Sequence, residues 1–175
     1  MNLSRLGEQL DVLIKDWVKK YGSEIQFKIE PGRYISAECG VLLGTVTAIK
    51  NNFENKYVGT DIGFNVIERP ILYESHHDIE VYRESSTAST NIEEVTIVGN
   101  ICESGDILVK HRTLPQIFEG DILGIIDAGA YGQVMSSNYN LRLRPAEVFI
   151  DNQGNALLTR RRDNFEDLLK PYLEI

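Results

Sequence analysis

An antiparallel β-barrel or β-sandwich, introduced by one amphipathic helix, is the fold class that this sequence predicts. Three features carry the prediction. Eight short runs rich in Val, Ile, Leu, Thr and Tyr follow one another through residues 41–160, separated by turn-forming residues. A long helical periodicity of apolar residues is confined to the start of the chain. Asp151-Asn152-Gln153-Gly154-Asn155 reads as a hairpin turn, because Asn, Asp and Gly accept the positive φ angles that tight turns require.

In chain order, Leu3, Leu6, Leu10, Leu13, Ile14, Trp17, Val18 and Tyr21 recur at helical spacing, with Glu8, Gln9, Asp11, Lys15, Asp16 and Lys19 on the other side. Gly22 ends that helix. Residues 24–29 read as a short strand leading into Glu30-Pro31-Gly32-Arg33, so that helix, strand and polar turn look like the closing piece of an α/β unit. Candidate strands then cover residues 41–50, 56–62, 79–84, 93–98, 107–110, 122–126, 146–150 and 156–160. Pro70 argues against a continuous helix through Arg69-Pro70-Ile71-Leu72-Tyr73. Residues 85–90 are small and polar and read as an exposed loop. Asp163 is placed to cap a last short helix over residues 164–170, which Pro171 terminates. Arg160-Arg161-Arg162 reads as a solvated basic run in preference to an anion site. There is no internal repeat.

Composition narrows the function classes. The 175 residues, 42% hydrophobic and 25% charged, suit one globular unit or one domain with an appendage. A formal net charge of -8 and a sequence pI near 4.9 argue against a general nucleic-acid binder, yet permit one local anion site. Two cysteines, Cys39 and Cys102, are too few for a disulfide framework, and the first residues lack the apolar run of a signal peptide. No segment approaches the roughly 18 consecutive apolar residues of a membrane span. A cytoplasmic protein is expected.

Several stretches are chemically suggestive. In Gly99-Asn100-Ile101-Cys102-Glu103-Ser104-Gly105-Asp106 a thiol stands beside a carboxylate where a strand-like run gives way to a turn. A lone cysteine is ordinarily a small buried hydrophobe, but loops on rigid scaffolds are where chemistry concentrates. Glu30-Pro31-Gly32-Arg33 sets an acid, a rigid turn, an exposed amide and a guanidinium together; the guanidinium suits a phosphate or carboxylate, and a Glu–Arg pair closing a turn is the plain alternative. Arg69 and Tyr73 offer a second cation and a hydroxyl. The adjacent His76 and His77 point in different directions on helix or strand, so no metal site is expected.

Five blocks in register resemble a known family. They are Glu30-Pro31-Gly32-Arg33-Tyr34; Asp61-Ile62-Gly63 before Arg69-Pro70-Ile71-Leu72-Tyr73; Ile101-Cys102-Glu103-Ser104-Gly105-Asp106; Asp127-Ala128-Gly129-Ala130-Tyr131-Gly132; and Ser137-Asn138-Tyr139-Asn140 with Arg144-Pro145-Ala146-Glu147. Together they look like the C-terminal part of the diaminopimelate decarboxylases, alanine-racemase-like enzymes dependent on pyridoxal phosphate that join a (β/α)8 barrel to a Greek-key-like β domain. The resemblance implies that residues 1–36 are the last helix and strand of the barrel and residues 37–175 the β domain. It also implies that Glu30 pairs with the cofactor's pyridine nitrogen, and that Gly32 and Arg33 approach the cofactor phosphate or the substrate. Arg33, Arg69 and Tyr73 would hold the substrate end remote from the reacting carbon, with Glu103 taking its distal ammonium. Cys102 would be the catalytic proton donor, reaching into a partner subunit's site in a homodimer, and Tyr131 would contact cofactor and substrate.

One departure from the family pattern matters. Lys15, Lys19, Lys20, Lys28, Lys50, Lys56, Lys110 and Lys170 all lie outside the context of the family's cofactor-binding lysine. The chain by itself is therefore expected to be inactive and not to bind the cofactor. Two alternatives accompany this reading. One is a decarboxylase of ornithine, lysine, arginine or a carboxylated polyamine; the other is a non-catalytic β-domain partner subunit.

Overall fold

The computed structural model describes residues 2–23, 26–83 and 91–172, and the chain folds as two compact units, Met1–Gly32 and Arg33–Ile175. The exposed loop expected at residues 85–90 lies outside the described residues.

The first unit is built on α1 (Leu3–Tyr21), as the periodicity requires. The Asn2 side chain caps its start by accepting from Arg5 N–H at 3.1 Å, and Gly22 N–H closes its end on Val18 O at 2.8 Å. None of its residues is buried, and Trp17, 47% exposed, meets the rings of Tyr21 and Phe27, with centroids 5.3 and 6.4 Å away. The strand expected over residues 24–29 is not seen: residues 26–29 are irregular, and residues 24 and 25 lie outside the described set. A strand exists through its ladder partners, and among the described residues this unit holds no other strand.

The second unit contains a barrel-like sheet of β1 (Leu42–Asn52), β2 (Asn55–Thr60), β3 (Ile79–Tyr82), β4 (Ile92–Val98), β5 (Ile107–Pro115) and β6 (Ile122–Ile125), in the order β3-β6-β1-β2-β4-β5. The expected strands are present, with β5 running five residues beyond its predicted end at Lys110. The expectation of a wholly antiparallel sheet needs correction, because β2 and β4 pair in parallel. The long connection between them, carrying a short helix and β3, is the kind of crossover that allows parallel arrival. Val46, Val58, Ile67, Val95, Ile97 and Leu123, each at most 2% exposed, form the centre of the core.

Around the sheet lie α2 (Gly32–Ser36), α3 (Arg69–Tyr73) and α4 (Phe165–Leu169), with the separate hairpin β7 (Glu147–Ile150) and β8 (Ala156–Arg160). In the hairpin turn Asp151 Oδ1 accepts from Gln153 and Asn155 N–H at 2.8 and 2.9 Å. Pro70 does not prevent α3, since in the first turn its missing N–H would have had no helical partner. At the C-terminus the cap is Asn164, not Asp163: Asn164 Oδ1 accepts from Asp167 N–H at 3.0 Å, and Asp167 Oδ2 accepts from Asn164 N–H at 2.9 Å. Pro171 does not end the helix abruptly but sits in a 3-10 turn, Lys170–Tyr172. Asp163 is instead a buried carboxylate between Arg144, at 2.8 Å, and Arg160. Arg161 pairs with Asp167 at 2.6 Å, so two of the three clustered arginines are held by acids and are not a free basic run.

A second buried acid fastens β3 to the turn before β6. Arg83 Nε donates to Asp121 Oδ1 at 2.7 Å, its Nη2 reaches Asp121 Oδ2 and Gln116 O, and its guanidinium lies 4.7 Å from the Phe118 ring centroid. The Arg83 hydrogen bond holds the Asp121 carboxyl below the usual aspartate value of 3.8, helped by Phe118 N–H and opposed by burial. A carboxylate whose folded pKa is depressed stabilises the fold above its unfolded pKa, and that stabilisation disappears as pH falls through the folded value. Urea midpoints of the wild type and Asp121→Asn should therefore differ most above about pH 5 and converge progressively as pH falls below about 4.

Candidate active site

Two backbone segments cross at glycines to build one face of the site. Gly129 N–H donates to Ala37 O at 3.0 Å and Ala128 N–H to Gly40 O at 2.8 Å, joining the segment after α2 to the loop after β6. A Cβ on Gly129 would lie 2.1 Å from Ser36 O, and one on Gly40 would lie 2.6 Å from Gly129 Cα. Only glycines permit this approach. It brings Arg33, from α2, to the same cleft as Tyr131 and Met135.

The cleft, about 420 Å³, is lined by Arg33, Arg69, Tyr73, Tyr131 and Met135. Arg69, 9% exposed, lies between the rings of Tyr73 and Tyr131, with both centroids 5.4 Å from its guanidinium carbon. Its Nη2 donates to Ser75 Oγ at 3.0 Å. Neither Arg33 nor Arg69 is ion-paired with an acid among the described residues, in contrast to Arg83, Arg144, Arg160 and Arg161. A buried guanidinium without a counter-charge is costly, so Arg69, with the exposed Arg33 beside it in the same cleft, suits an anionic ligand. Tyr131 holds its ring there from a left-handed backbone, φ 64°, and Asp127 at the start of the same loop has φ 60°. Such strain in non-glycine residues concentrates at ligand sites.

The Cys102 turn adjoins this cleft without lining it. Cys102 and Glu103 are exposed, and Cys102 is a free thiol, so it is not the buried hydrophobe that a lone cysteine usually is. Glu103 Oε1 accepts from Gly105 N–H at 3.2 Å, and its Oε2 accepts from Tyr139 O–H at 3.5 Å. Gly105 lies against α3, since a Cβ there would be 2.7 Å from Ile71 Cδ1.

The turn is tied down from beneath by Asp106, 4% exposed. Its Oδ2 accepts from Ile101 N–H at 2.7 Å, and its Oδ1 accepts from Phe64 N–H, on the segment entering α3, also at 2.7 Å. Burial pushes the Asp106 carboxyl above the usual aspartate value, against the two amide bonds that favour its charged form. From the other side Arg142 Nη2 donates to Asn100 O at 2.8 Å, and Phe64 stacks on Tyr139 with ring centroids 5.1 Å apart.

Of the residues singled out in the sequence, Arg33, Arg69, Tyr73 and Tyr131 share the cleft. Cys102 and Glu103 share the neighbouring turn. Glu30 and Gly32 fall in the first compact unit, where Gly32 N–H donates to Glu30 O at 2.9 Å. His76 bonds Asp78 at 2.9 Å and Arg112, while His77 is buried with Nδ1 2.8 Å from Ile126 O. Among the described residues no group of three or more His, Cys, Asp or Glu is arranged to hold a metal ion, and no helix is long and apolar enough to cross a membrane. Met135 and the tether Asp106 were not anticipated; the second had a signal, an acid flanked by the two glycine-bearing turns at Gly63 and Gly99.

Residues 8–129 match the model for the pyridoxal-dependent decarboxylase C-terminal sheet domain. The chain is 40% identical over 171 residues to diaminopimelate decarboxylase of Methanothermobacter thermautotrophicus, covering 97% of this chain and 39% of that protein. It is 42% identical over 149 residues to the diaminopimelate decarboxylase of Archaeoglobus fulgidus, covering 85% and 34%. The crystal structure of the M. jannaschii diaminopimelate decarboxylase in co-complex with L-lysine superposes with a TM-score of 0.80 at 37% identity, over 94% of this chain and 37% of that one. The chain thus spans well under half the length of these relatives.

The glycine crossing generates a direct expectation. Gly129→Ala should lower unfolding stability by about 1–3 kcal/mol in urea denaturation. It should also shift the amide resonances of Arg33 and Tyr131, while those of β4 and β5 stay in place.

Proposed function

The chain belongs to the family of pyridoxal-dependent decarboxylase C-terminal sheet domains, and from that premise we propose that it is the sheet domain of a diaminopimelate decarboxylase, which converts meso-diaminopimelate to L-lysine and carbon dioxide in the cytoplasm. In this reading residues 1–36 close the cofactor-binding barrel and residues 37–175 form the sheet domain. The observation that carries the reading is the cleft in which Arg33 and Arg69 have no ion pair to an acid among the described residues and Arg69 lies against the rings of Tyr73 and Tyr131.

Diaminopimelate carries a second carboxylate at the end remote from the reacting carbon, which lysine and ornithine lack. Paired guanidiniums favour that carboxylate, and an ammonium-only end would gain nothing from them. Glu103, exposed and backed by the Tyr139 hydroxyl, suits the distal ammonium.

The same cations and tyrosines fit an anionic cofactor such as pyridoxal phosphate, with Gly32, Arg33 and Tyr131 toward its phosphate or the substrate and Glu30 toward its ring nitrogen. Pyridoxal phosphate, when bound, supplies the electron sink that lets the substrate lose carbon dioxide. Cys102 then delivers a proton to the carbon that carried the departing group, and its thiolate is reprotonated from water. Because Cys102 and Glu103 project from a turn outside the cleft lining, they suit the site of a second subunit, which makes the working enzyme a homodimer with shared sites. Without a cofactor-binding lysine in matching context, the chain alone neither holds the cofactor nor releases carbon dioxide.

The test is decarboxylation by this chain assembled with a lysine-bearing barrel, measured with meso-diaminopimelate beside ornithine and lysine. Carbon dioxide release from diaminopimelate alone is expected, and a preference for ornithine or lysine would move the assignment to another basic amino acid. An assembly inactive on all three would favour a non-catalytic partner. In the active assembly Cys102→Ala should slow turnover by about a hundredfold to ten-thousandfold with cofactor affinity nearly unchanged. Arg69→Met should mainly raise KM for diaminopimelate. Equal loss of cofactor affinity and turnover in Cys102→Ala would remove its donor role.

A further inference from the structure

Asp106 serves two segments far apart in the chain with its two carboxylate oxygens. Oδ2 holds Ile101, the residue before Cys102; Oδ1 holds Phe64, which leads through the fully buried Ile67 into α3 with Arg69 and Tyr73. Its own backbone closes the turn by other bonds, accepting from Gly99 N–H at 3.0 Å and donating to Glu103 O at 3.1 Å. Turn closure therefore does not need the side chain. The carboxylate does something further: it bridges.

Space is reserved for that bridge. A Cβ on Gly99 would fall 2.2 Å from Asp106 Oδ2 and 2.5 Å from Gly63 Cα, and one on Gly63 would fall 2.8 Å from Oδ2. The carboxylate is buried with two N–H donors and, among the described residues, no cation paired to it, an arrangement that costs desolvation. Glu103 is the other charged group that acts on it.

We infer that Asp106 is a positioning residue, which sets the Cys102–Glu103 turn in register with the helix carrying Arg69 and Tyr73. The inference rests on the decarboxylase reading for its catalytic meaning, but the tether itself does not. An aspartate can satisfy both amides at once. An asparagine must turn its NH2 toward one of them, so it keeps one anchor and releases the other.

Amide spectra of the chain followed against pH test the tether. Phe64 and Ile101 N–H should titrate together with one midpoint above the ordinary aspartate value, and the Cys102 amide and Arg69 side-chain resonances should move in the same step. In Asp106→Asn that step should vanish, and hydrogen-exchange protection at Phe64 or Ile101 should fall by about tenfold or more, while amides of β1, β2 and β4 keep theirs. Separate titration of the two amides, or a step at Ile101 alone, overturns the inference. In the active assembly Asp106→Asn should lower kcat by about tenfold or more, yet add little to the loss already caused by Cys102→Ala, because it acts through that thiol. Full multiplication of the two losses overturns the positioning role. If the wild-type assembly decarboxylates nothing, the enzymatic reading fails and the tether stands or falls on the titration.

Discussion

One buried carboxylate decides how the parts of this site can be arranged. Asp106 accepts from Phe64 and Ile101 N–H, and with both bonds made the segment entering α3 and the turn bearing Cys102 cannot move independently. The constraint reaches outward from there. Phe64 fixes Tyr139 by ring contact, Tyr139 reaches Glu103, and Arg142 holds Asn100 at the base of the turn. The two amide bonds to the buried carboxylate are costly to break, and the exposed contacts of Glu103, Tyr139 and Arg142 surround them. The core supplies the platform: Ile67 and Ile97, fully or almost fully buried, anchor the two tethered segments in the same apolar cluster.

The charge distribution explains how an acidic chain can hold an anion site. The formal charge of -8 is an average, and most of the well-placed cations answer to particular acids. Arg83 belongs to Asp121, Arg144 and Arg160 to Asp163, Arg161 to Asp167, and Lys56 to Glu93. Those pairs fasten loops and strand ends, and all but the exposed Arg161–Asp167 pair are partly buried, where an ion pair is less screened than on the open surface. Arg33 and Arg69 stand apart because the described residues lining the cleft that holds them are tyrosines and a methionine, with no acid among them. That difference is one composition cannot reveal.

Much of the fold was legible, since strands in a one-core domain repeat local signals: apolar and β-branched runs, Gly and Asn turns, a helical stripe ended by glycine. What was not legible depended on partners distant in sequence. The parallel pairing of β2 with β4 follows from a crossover and not from either strand's residues. The irregular course of residues 26–29 reflects the lack of a neighbouring strand among the described residues of that unit, while their composition alone reads as β. Asp163 and Asn164 are both good capping residues, and the choice between them was made by Arg144 and Arg160, which claim the aspartate for a buried pair. In the site, Arg33, Arg69, Tyr73 and Tyr131 were recognisable as residues, but only three-dimensional structure shows that they line one cleft and that Cys102 lies outside it.

The separation of thiol and cleft has a physical logic. The turn that carries Cys102 is packed against the helix that carries Arg69 and Tyr73. Gly105 against Ile71 leaves the turn no slack, and the two bonds of Asp106 leave it no hinge. Cys102 and Glu103 are exposed and do not line the cleft that their own chain builds. A rigid turn aimed outward serves a site on another molecule better than a flexible one, because the ordering cost is met at folding and not at each encounter. The tether and the exposure of the thiol belong together: Cys102 and Glu103 are held on a turn fixed by Asp106, outside the cleft that Arg33, Arg69, Tyr73 and Tyr131 line.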